Sequence, residues 1–202
     1  VVEQLAGAVV PASALETLVL PSRVVGWRPA LIDEVMASGE VLWAGHGPLP
    51  GDDGWVSLHL AESAHLTLPQ PAELELTPLH QRILDLLGTG GAFFFAPLAQ
   101  AVESDDPREL AAALWDLVWS GRVTGDTLGG LRALLAGGRT THRRRPAGPR
   151  TSRYGGRPRR ASLTGLRPAG PPSTAGRWSL LPAIEPDTTL RAAAQAETLL
   201  DR

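Results

Sequence analysis

The arginines between residues 139 and 177 are the side chains of this sequence that are best suited to chemistry. This stretch contains 11 Arg and no Asp or Glu, although the whole chain of 202 residues has a net charge of −2. Guanidinium groups bind phosphate in a bidentate manner, and Tyr154 or His142 could stack on a base. We therefore predict a nucleic-acid-binding segment. Its candidate residues are Arg143, Arg144, Arg145, Arg150, Arg153, Tyr154, Arg157, Arg159 and Arg160.

The composition of the rest of the chain contrasts with the basic stretch and excludes several kinds of functional site. Residues 1–138 carry 6 Arg against 17 acidic residues, so the basic stretch follows an acidic region. The alternative interpretation is a solvated linker whose arginines reflect a GC-rich coding bias. The chain contains neither Lys nor Cys, which excludes a P-loop lysine, a Schiff base, a disulfide and a thiolate metal site. The five His show no metal-binding spacing, so we expect no metal.

The chain repeats one short pattern after 82 residues. The stretches "LIDEVMASGEVLWAG" and "LWDLVWSGRVTGDT" each read as an amphipathic helix, a Ser-Gly pair and a strand. Ser38 aligns with Ser120, and a glycine follows each of them. Val41 aligns with Val123 at the start of each strand pattern. A repeat of this kind indicates a repeated structural module.

The first copy reads as helix, strand, turn and strand over residues 29–61. Pro29 suits the first turn of a helix, and Gly39 suits the position just after the last turn. The cluster "GPLPGDDG" predicts a hairpin turn. In "WVSLHLA", Ser57 and His59 alternate with apolar residues, which predicts a half-buried strand.

The second copy reads as three helices and a short strand over residues 77–135. Thr77 and Asp106 are predicted N-caps, each followed by a proline. The short strand "RVT" and a "GD" turn then predict a shorter hairpin than in the first copy. Trp115 and Trp119 share one face of the third helix, and we interpret them as core or inter-module packing rather than as a stacking platform.

Three helices followed by a hairpin is the order of a winged helix, a variant of the helix-turn-helix. We therefore predict an α+β fold of tandem winged-helix modules joined by a disordered Arg/Pro/Gly-rich segment. The predicted divisions are the end of a preceding helical module with a connector at 1–26, a winged-helix part with a hairpin wing at 27–68, a second winged-helix module at 77–136, a basic flexible segment at 137–176 and the start of a further module at 177–202.

Several phrases resemble, in the same order, the region after the helicase core of Lhr-type (large helicase-related) superfamily 2 DNA helicases of actinobacteria. They are "LVLPSRVVGWRPALIDEVMASGEVLWAGHGPLPGDDGWVSLHLA", "TPLHQRILDLLGTGGAFFF", "ALWDLVWSGRVTGDTLGGLRALL" and "AGRWSLLP". The resemblance covers nearly the whole chain and implies winged-helix modules in the C-terminal region of a 3′-to-5′ ATP-dependent helicase. It implies that ATP and Mg²⁺ bind upstream in the helicase core, so we expect no cofactor and no catalytic residue in this chain.

We therefore expect the chain to bind or position DNA, single-stranded or as a tailed duplex, for the helicase core of the same polypeptide in DNA repair. Arg108 is a further candidate. It lies near the start of the third helix of the second module, which would be the recognition helix of that module. The acidic modules argue against DNA contact by the recognition helices of both modules. No stretch approaches 18 apolar residues, so we expect no membrane segment. The absence of Cys is compatible with a reducing setting, and we expect a cytoplasmic protein. Two alternatives stay open: a structural or self-assembly module without DNA binding, and part of a DNA-glycosylase-like region.

Overall fold

The computed structural model describes residues 1–137 and 170–200. We call residues 1–60 the first module. Its elements are α1 (Val2–Leu5), β1 (Val10–Pro11), α2 (Ala12–Ala14), a π-helical turn (Leu15–Val19), α3 (Pro29–Ala37), β2 (Val41–Leu49) and β3 (Asp53–Leu60). The short helix α4 (Ala64–Thr67) follows it.

We call residues 78–180 the second module. Its described elements are α5 (Pro78–Gly88), β4 (Phe93–Phe94), α6 (Phe95–Ala101), α7 (Pro107–Trp119), β5 (Val123–Gly125), α8 (Gly129–Gly137), a 3-10 turn (Pro172–Thr174) and β6 (Arg177–Leu180). The chain then continues into α9 (Thr188–Leu200).

The two modules have the same sheet topology, which confirms the predicted α+β winged-helix fold. Their antiparallel sheets have the strand orders β1-β3-β2 and β4-β6-β5. In the first sheet Val41 pairs with Leu60, and in the second Val123 pairs with Leu180. The alignment of Val41 with Val123 therefore also holds between the two folded modules.

The repeated Ser-Gly pair ends the third helix of each module. The hydroxyls of Ser38 and Ser120 each donate to the carbonyl three residues earlier, at 2.8 and 2.9 Å. Gly39 and Gly121 follow with φ of +83° and +73°, in the left-handed region that favours glycine. The sequence repeat thus encodes a helix stop that turns the chain into the next strand.

Local capping residues begin α5 and α7 of the second module, as predicted. The Thr77 hydroxyl accepts from the backbone N–H of His80, whose imidazole accepts from the backbone N–H of Thr77. The Asp106 carboxylate accepts from the backbone N–H groups of Arg108 and Glu109. These bonds satisfy N–H groups that have no partner within their own helix.

The structure divides the chain differently from our prediction at its N-terminal end. We predicted that residues 1–26 belong to a preceding module. Instead β1 pairs with β3, and Leu5, Leu15 and Leu20 are buried in the core with residues of α3, β2 and β3. Residues 1–26 therefore supply the first strand and helices of the first module, because their apolar side chains need the later hairpin to cover them.

The second difference concerns the end of the second module. We predicted a new module from residue 177, but β6 pairs with both β4 and β5 and so completes the second sheet. Residues 138–169 therefore interrupt the second module in sequence instead of joining two modules. The strand that partners β5 lies more than 50 residues away and not directly after the "GD" turn.

Residues 170–176 belong to the folded core, although we had included them in a flexible segment. The indole of Trp115 donates to the Ser173 carbonyl at 3.2 Å, and that of Trp178 donates to the Thr174 carbonyl at 3.1 Å. Thr174 is buried. This short Pro-rich segment orders because its backbone carbonyls satisfy two buried indole N–H groups.

The C-terminal segment returns from the second module to the first. Leu181 and Ile184 pack against Leu68 and its buried neighbours, and the backbone N–H of Glu185 donates to the His65 carbonyl at 2.8 Å. In α9, the buried Arg191 donates to the Leu68 carbonyl at 2.7 Å. These contacts connect α9 to the residues that directly follow the first module.

Candidate nucleic-acid interface

Most of the predicted nucleic-acid-binding residues lie outside the described part of the chain. These are Arg143, Arg144, Arg145, Arg150, Arg153, Tyr154, Arg157, Arg159 and Arg160. Their position in the chain is nevertheless defined by the strands on either side, because residues 138–169 lie between β5 and β6. The corresponding connection between β2 and β3 of the first module is the hairpin turn at residues 50–52. In the sequence, the basic stretch is therefore part of the connection between β5 and β6, residues 126–176, which also contains α8 and the 3-10 turn.

Arg108 is the predicted site residue that the structure does describe. It is exposed in the first turn of α7, where its backbone N–H donates to Asp106 Oδ1 at 2.8 Å. Asp105 and Glu109 are also exposed nearby in sequence. This single guanidinium stands among three carboxylates that repel phosphate, so Arg108 is a weak candidate for a DNA contact.

The recognition helix of the second module is buried along most of its length. Leu110, Leu114, Leu117 and Val118 are fully buried, and Trp115 is 6% exposed. The exposed positions of α7 are residues 107–109, 112 and 116. A helix that reads bases must place side chains in the major groove. In this conformation α7 packs between the modules, and its exposed face carries a single arginine beside Glu109 and Asp116, which disfavours contact with DNA.

The surface that covers α7 belongs to the first module. Cβ atoms added at Gly45 or Gly54 would overlap the Trp119 ring, and one at Gly45 would also overlap the Val118 carbonyl. These two glycines let the β2–β3 hairpin approach α7 at backbone distance. The predicted packing role of Trp115 and Trp119 is therefore what the structure shows.

A cluster of tryptophans holds the two sheets together at the same interface. The indole of Trp43, which is fully buried, donates to the Gly125 carbonyl at 3.0 Å. The Thr124 hydroxyl donates back to the Trp43 carbonyl at 2.7 Å. Trp115 lies between Trp43 and Trp178, with ring centroids 6.3 and 5.6 Å away. Burial of these rings on both sides makes one continuous core out of the two modules.

The recognition helix of the first module, α3, is more accessible, but α8 covers one side of it. Arg132 of α8 donates to Asp33 of α3 at 2.6 Å and to Glu16 at 2.7 Å. The backbone N–H of Leu128 donates to the other oxygen of Asp33 at 2.9 Å. Burial alone would lower the pKa of Arg132, but the hydrogen bonds and charges of the two carboxylates outweigh it and raise that pKa.

The loop that leads into α3 carries exposed cations that are not among the predicted site residues. Arg23 and Arg28 are exposed, Val25 is fully exposed and Trp27 is half-buried. Arg28 is the N-cap residue of α3. The sequence signal was the Arg-Trp pair directly before Pro29, at the entrance to a helix that the structure leaves accessible.

Ser57 and His59 form a buried hydrogen-bond relay instead of the solvated face of a strand. Ser57 Oγ lies 2.6 Å from both His46 Nε2 and His59 Nε2. His59 Nδ1 lies 2.8 Å from Thr67 Oγ1, which donates to a backbone carbonyl. The Thr67 hydroxyl therefore accepts from His59 Nδ1–H, and the Ser57 hydroxyl donates to the bare Nε2. The prediction of a half-buried strand was wrong here, because Ser57 and His59 are both fully buried.

Burial keeps His59 neutral in this relay. Desolvation and then the neighbouring charge of His46 lower the pKa of His59 to about 4, and desolvation also lowers that of His46. Within residues 1–137 and 170–200 no cluster of three His, Cys, Asp or Glu could hold a metal ion. The relay is therefore a set of internal hydrogen bonds that fixes β3 against α4.

None of the helices within residues 1–137 and 170–200 is both long and apolar enough to span a bilayer.

Comparison with known proteins identifies the family. A family model described as the winged-helix domain of large helicase-related protein matches residues 1–61. This match begins at the first residue of the chain, in agreement with the place of α1 and β1 in the first module.

Two relatives match the chain over its full length. It is 50% identical to a protein of Mycolicibacterium smegmatis named "Lhr helicase/ probable uracil glycosylase" and 39% identical to a protein of Escherichia coli K12 named "Lhr helicase/uracil glycosylase". The chain spans only 13% and 14% of the lengths of these relatives. Together with the winged-helix topology of both modules, these matches show that the chain belongs to the large helicase-related (Lhr) family and corresponds to a region that includes its winged-helix domain.

Proposed function

We propose that this chain is the DNA-binding and DNA-positioning accessory region of an ATP-dependent 3′-to-5′ DNA helicase that acts in cytoplasmic DNA repair. The observation that carries the proposal is the place of the basic stretch. In the sequence it falls within the connection between the paired strands β5 and β6, which corresponds to the hairpin wing of a winged helix, an element with which this fold contacts the DNA backbone. Arg143, Arg144, Arg145, Arg157, Arg159 and Arg160 are the residues that we expect to contribute most.

The charge distribution supports different roles for the basic stretch and for the folded modules. The described residues contain 20 carboxylates and 8 arginines, and residues 138–169 contain ten arginines and no acid. Phosphate affinity therefore resides in the stretch and in the Arg23–Arg28 loop. The acidic modules would position these cations and keep α7 in the core.

The helicase core of the same polypeptide is the proposed partner for this region. This chain has no lysine to reach the β- and γ-phosphates of ATP, so it cannot form a P-loop by itself. Binding of ATP and Mg²⁺ is therefore assigned to the motor core. The accessory region would hold DNA while the motor hydrolyses ATP.

Binding to labelled single-stranded DNA and to tailed duplex DNA over a salt series tests the proposal. The wild type is compared with a variant in which Arg143, Arg144, Arg145, Arg157, Arg159 and Arg160 are changed to Ala. We expect weaker binding and a flatter dependence on salt, since each lost phosphate contact reduces the slope by about 0.7 on single strands and about 0.9 on duplex. Arg82→Ala, on the exposed face of α5, is the control and should leave both quantities nearly unchanged.

An absence of binding at moderate salt by the wild type would refute the proposal. The second module would then be a scaffold, a role that the burial of α7 already favours for that helix.

A second candidate function comes from the printed names of both relatives, which include uracil glycosylase. We propose no catalytic carboxylate here. Incubation of the chain with uracil-containing single-stranded DNA tests this directly, and release of uracil above a buffer control would favour the glycosylase function.

A further inference from the structure

An acidic cleft lies between the two modules, on the side of α7 that faces the hairpin turn of the first module. The residues that line it include the apolar side chains of Ala112, Trp119 and Leu134. Its rim carries the carboxylates of Asp52, Asp53 and Asp116. No basic residue is among the described residues that line it. The cleft therefore combines apolar surface with three carboxylates.

The carboxylates of Asp52 and Asp116 are exposed and available to a cationic ligand. The side chain of Asp116 is 56% exposed, and His80 Nε2 lies 3.5 Å from its Oδ2. Asp53 accepts hydrogen bonds from Ser13 and Gly54, which fix its orientation at the base of the hairpin. Among the ion pairs of the described residues, none involves Asp52 or Asp53.

We propose that the arginine-rich stretch of residues 139–160 of this same chain binds in the acidic cleft. Charge complementarity is the first argument, because the stretch has nine arginines and no acid while the rim has three carboxylates and no base. Arginine is also the cation that packs best on apolar and aromatic surface.

The chain path is the second argument. Leu134, four residues before the undescribed range, and Ser173, three residues after Gly170, both line the cleft. The stretch therefore leaves and re-enters the described structure beside the cleft. A tether of this kind gives an effective concentration on the order of millimolar, so weak individual contacts suffice for occupancy.

The consequence is an internal competition. DNA and the acidic cleft would bind the same guanidinium groups, so the cleft would weaken DNA binding until phosphate displaces it. This consequence rests on the proposed function, whereas occupancy of the cleft does not.

Cysteine cross-linking tests occupancy without DNA. The chain has no native Cys, so Ala112→Cys in the cleft and Ser152→Cys in the stretch create a single possible intramolecular disulfide. Ala37→Cys and Ala193→Cys, both at exposed helical positions, are paired with Ser152→Cys as controls. We expect the cleft pair to cross-link several-fold faster than either control. We also expect this advantage to disappear in 1 M salt, where the Debye length is about 3 Å. Equal rates for all three pairs at low salt would overturn the proposal.

Charge-matched variants test the competition. The double variant Asp52→Asn/Asp116→Asn removes two cleft charges, and Glu62→Gln/Asp85→Asn removes two exposed charges elsewhere. We expect the cleft variant to bind single-stranded DNA several-fold more tightly than the control variant. Equal affinities would show that the cleft does not compete with DNA. A third outcome separates the two proposals. If no variant binds DNA but Ala112→Cys and Ser152→Cys still cross-link fastest, the proposed function is refuted and binding of the stretch in the cleft is supported.

Discussion

The two modules share one topology but use the third helix in different ways. In the first module α3 keeps an accessible face, and exposed arginines lie in the loop that leads into it. In the second module α7 is buried beneath the hairpin of the first, with Gly45 and Gly54 in contact with Trp119. A winged helix can therefore serve as an interior packing unit, and its topology alone does not show that its third helix reads DNA.

The difference between the modules is also visible at equivalent strand positions. Trp43 of β2 corresponds to Gly125 of β5, because Val41 and Val123 begin the two strands at equivalent positions. The Trp43 indole donates to the Gly125 carbonyl, so these two equivalent positions contact each other. Trp43 has a large side chain and Gly125 has none. The edges of β2 and β5 can therefore come together at these positions.

The largest effect is expected from filling the space between the modules. Gly45→Ala would place a methyl group against the Val118 carbonyl and the Trp119 ring. Because the backbone must move, we expect the free energy of unfolding to fall by about 3 kcal/mol. Urea denaturation measures it. Gly88→Ala, at the end of α5 with open space around it, is the control and should raise stability by up to about 1 kcal/mol. Unchanged stability of Gly45→Ala would mean that the modules do not pack as described.

The second prediction concerns acid and the first module. The pKa of His59 is about 4 in the folded chain and about 6.5 when unfolded, so the unfolded state binds more protons between these pH values. Stability should therefore fall as pH is lowered from 6.5 to 4, by an amount on the order of 3 kcal/mol. Denaturation at several pH values measures this slope. His59→Gln should flatten it, whereas the exposed His65→Gln should not. If the His59→Gln variant keeps the same dependence of stability on pH, other titrating groups cause that dependence.

A smaller effect is expected at the ion pairs that connect α8 to the first module. Arg132→Ala removes the partner of both Glu16 and Asp33, whose side chains are 16% and 25% exposed. We expect a loss of about 1 to 2 kcal/mol, because two partly buried carboxylates lose a charged partner. Arg82→Ala, an exposed position, should change stability by less than about 0.5 kcal/mol. Equal effects of the two variants would show that the ion pairs of Arg132 do not stabilise the packing of α8 against the first module.

The smallest predicted effect compares the repeated serines directly. Ser38 and Ser120 make the same helix-ending hydrogen bond, but Ser38 is exposed and Ser120 is 6% exposed. We expect Ser120→Ala to lower stability by about 1 kcal/mol and Ser38→Ala by less than about 0.5 kcal/mol. Thermal unfolding of the two variants side by side measures the difference. Losses of the same size would mean that burial does not distinguish the two turns.

Local features were predictable from sequence because their causes lie within a few residues. Thr77 and Asp106 cap helices with side chains that reach only two or three residues ahead. The Ser-Gly pairs end helices through a left-handed glycine. The predicted DNA-binding arginines outside residues 1–137 and 170–200 stay a prediction.

Non-local features were not predictable from the same patterns. The partner of β5 was missed because β6 follows after a long intervening stretch, and no short-range signal connects the two strands. The burial of Ser57 and His59 was missed because alternation along a strand describes one covered face, whereas here Thr67 of α4 and its neighbours cover the second. The acidic cleft was missed for the same reason, since its rim comes from a hairpin and a helix about 60 residues apart.

The sequence by itself determined the helices, their caps, the repeated module and the segregation of arginine from acid, because these depend on residue type and short-range spacing. Tertiary structure alone decided which recognition helix remains accessible. That outcome depends on how closely two backbones approach, and the approach requires glycines on β2 and β3 to meet a tryptophan on α7. No local pattern in the sequence contains this information, because the residues in contact are far apart in the chain and meet only after both modules fold.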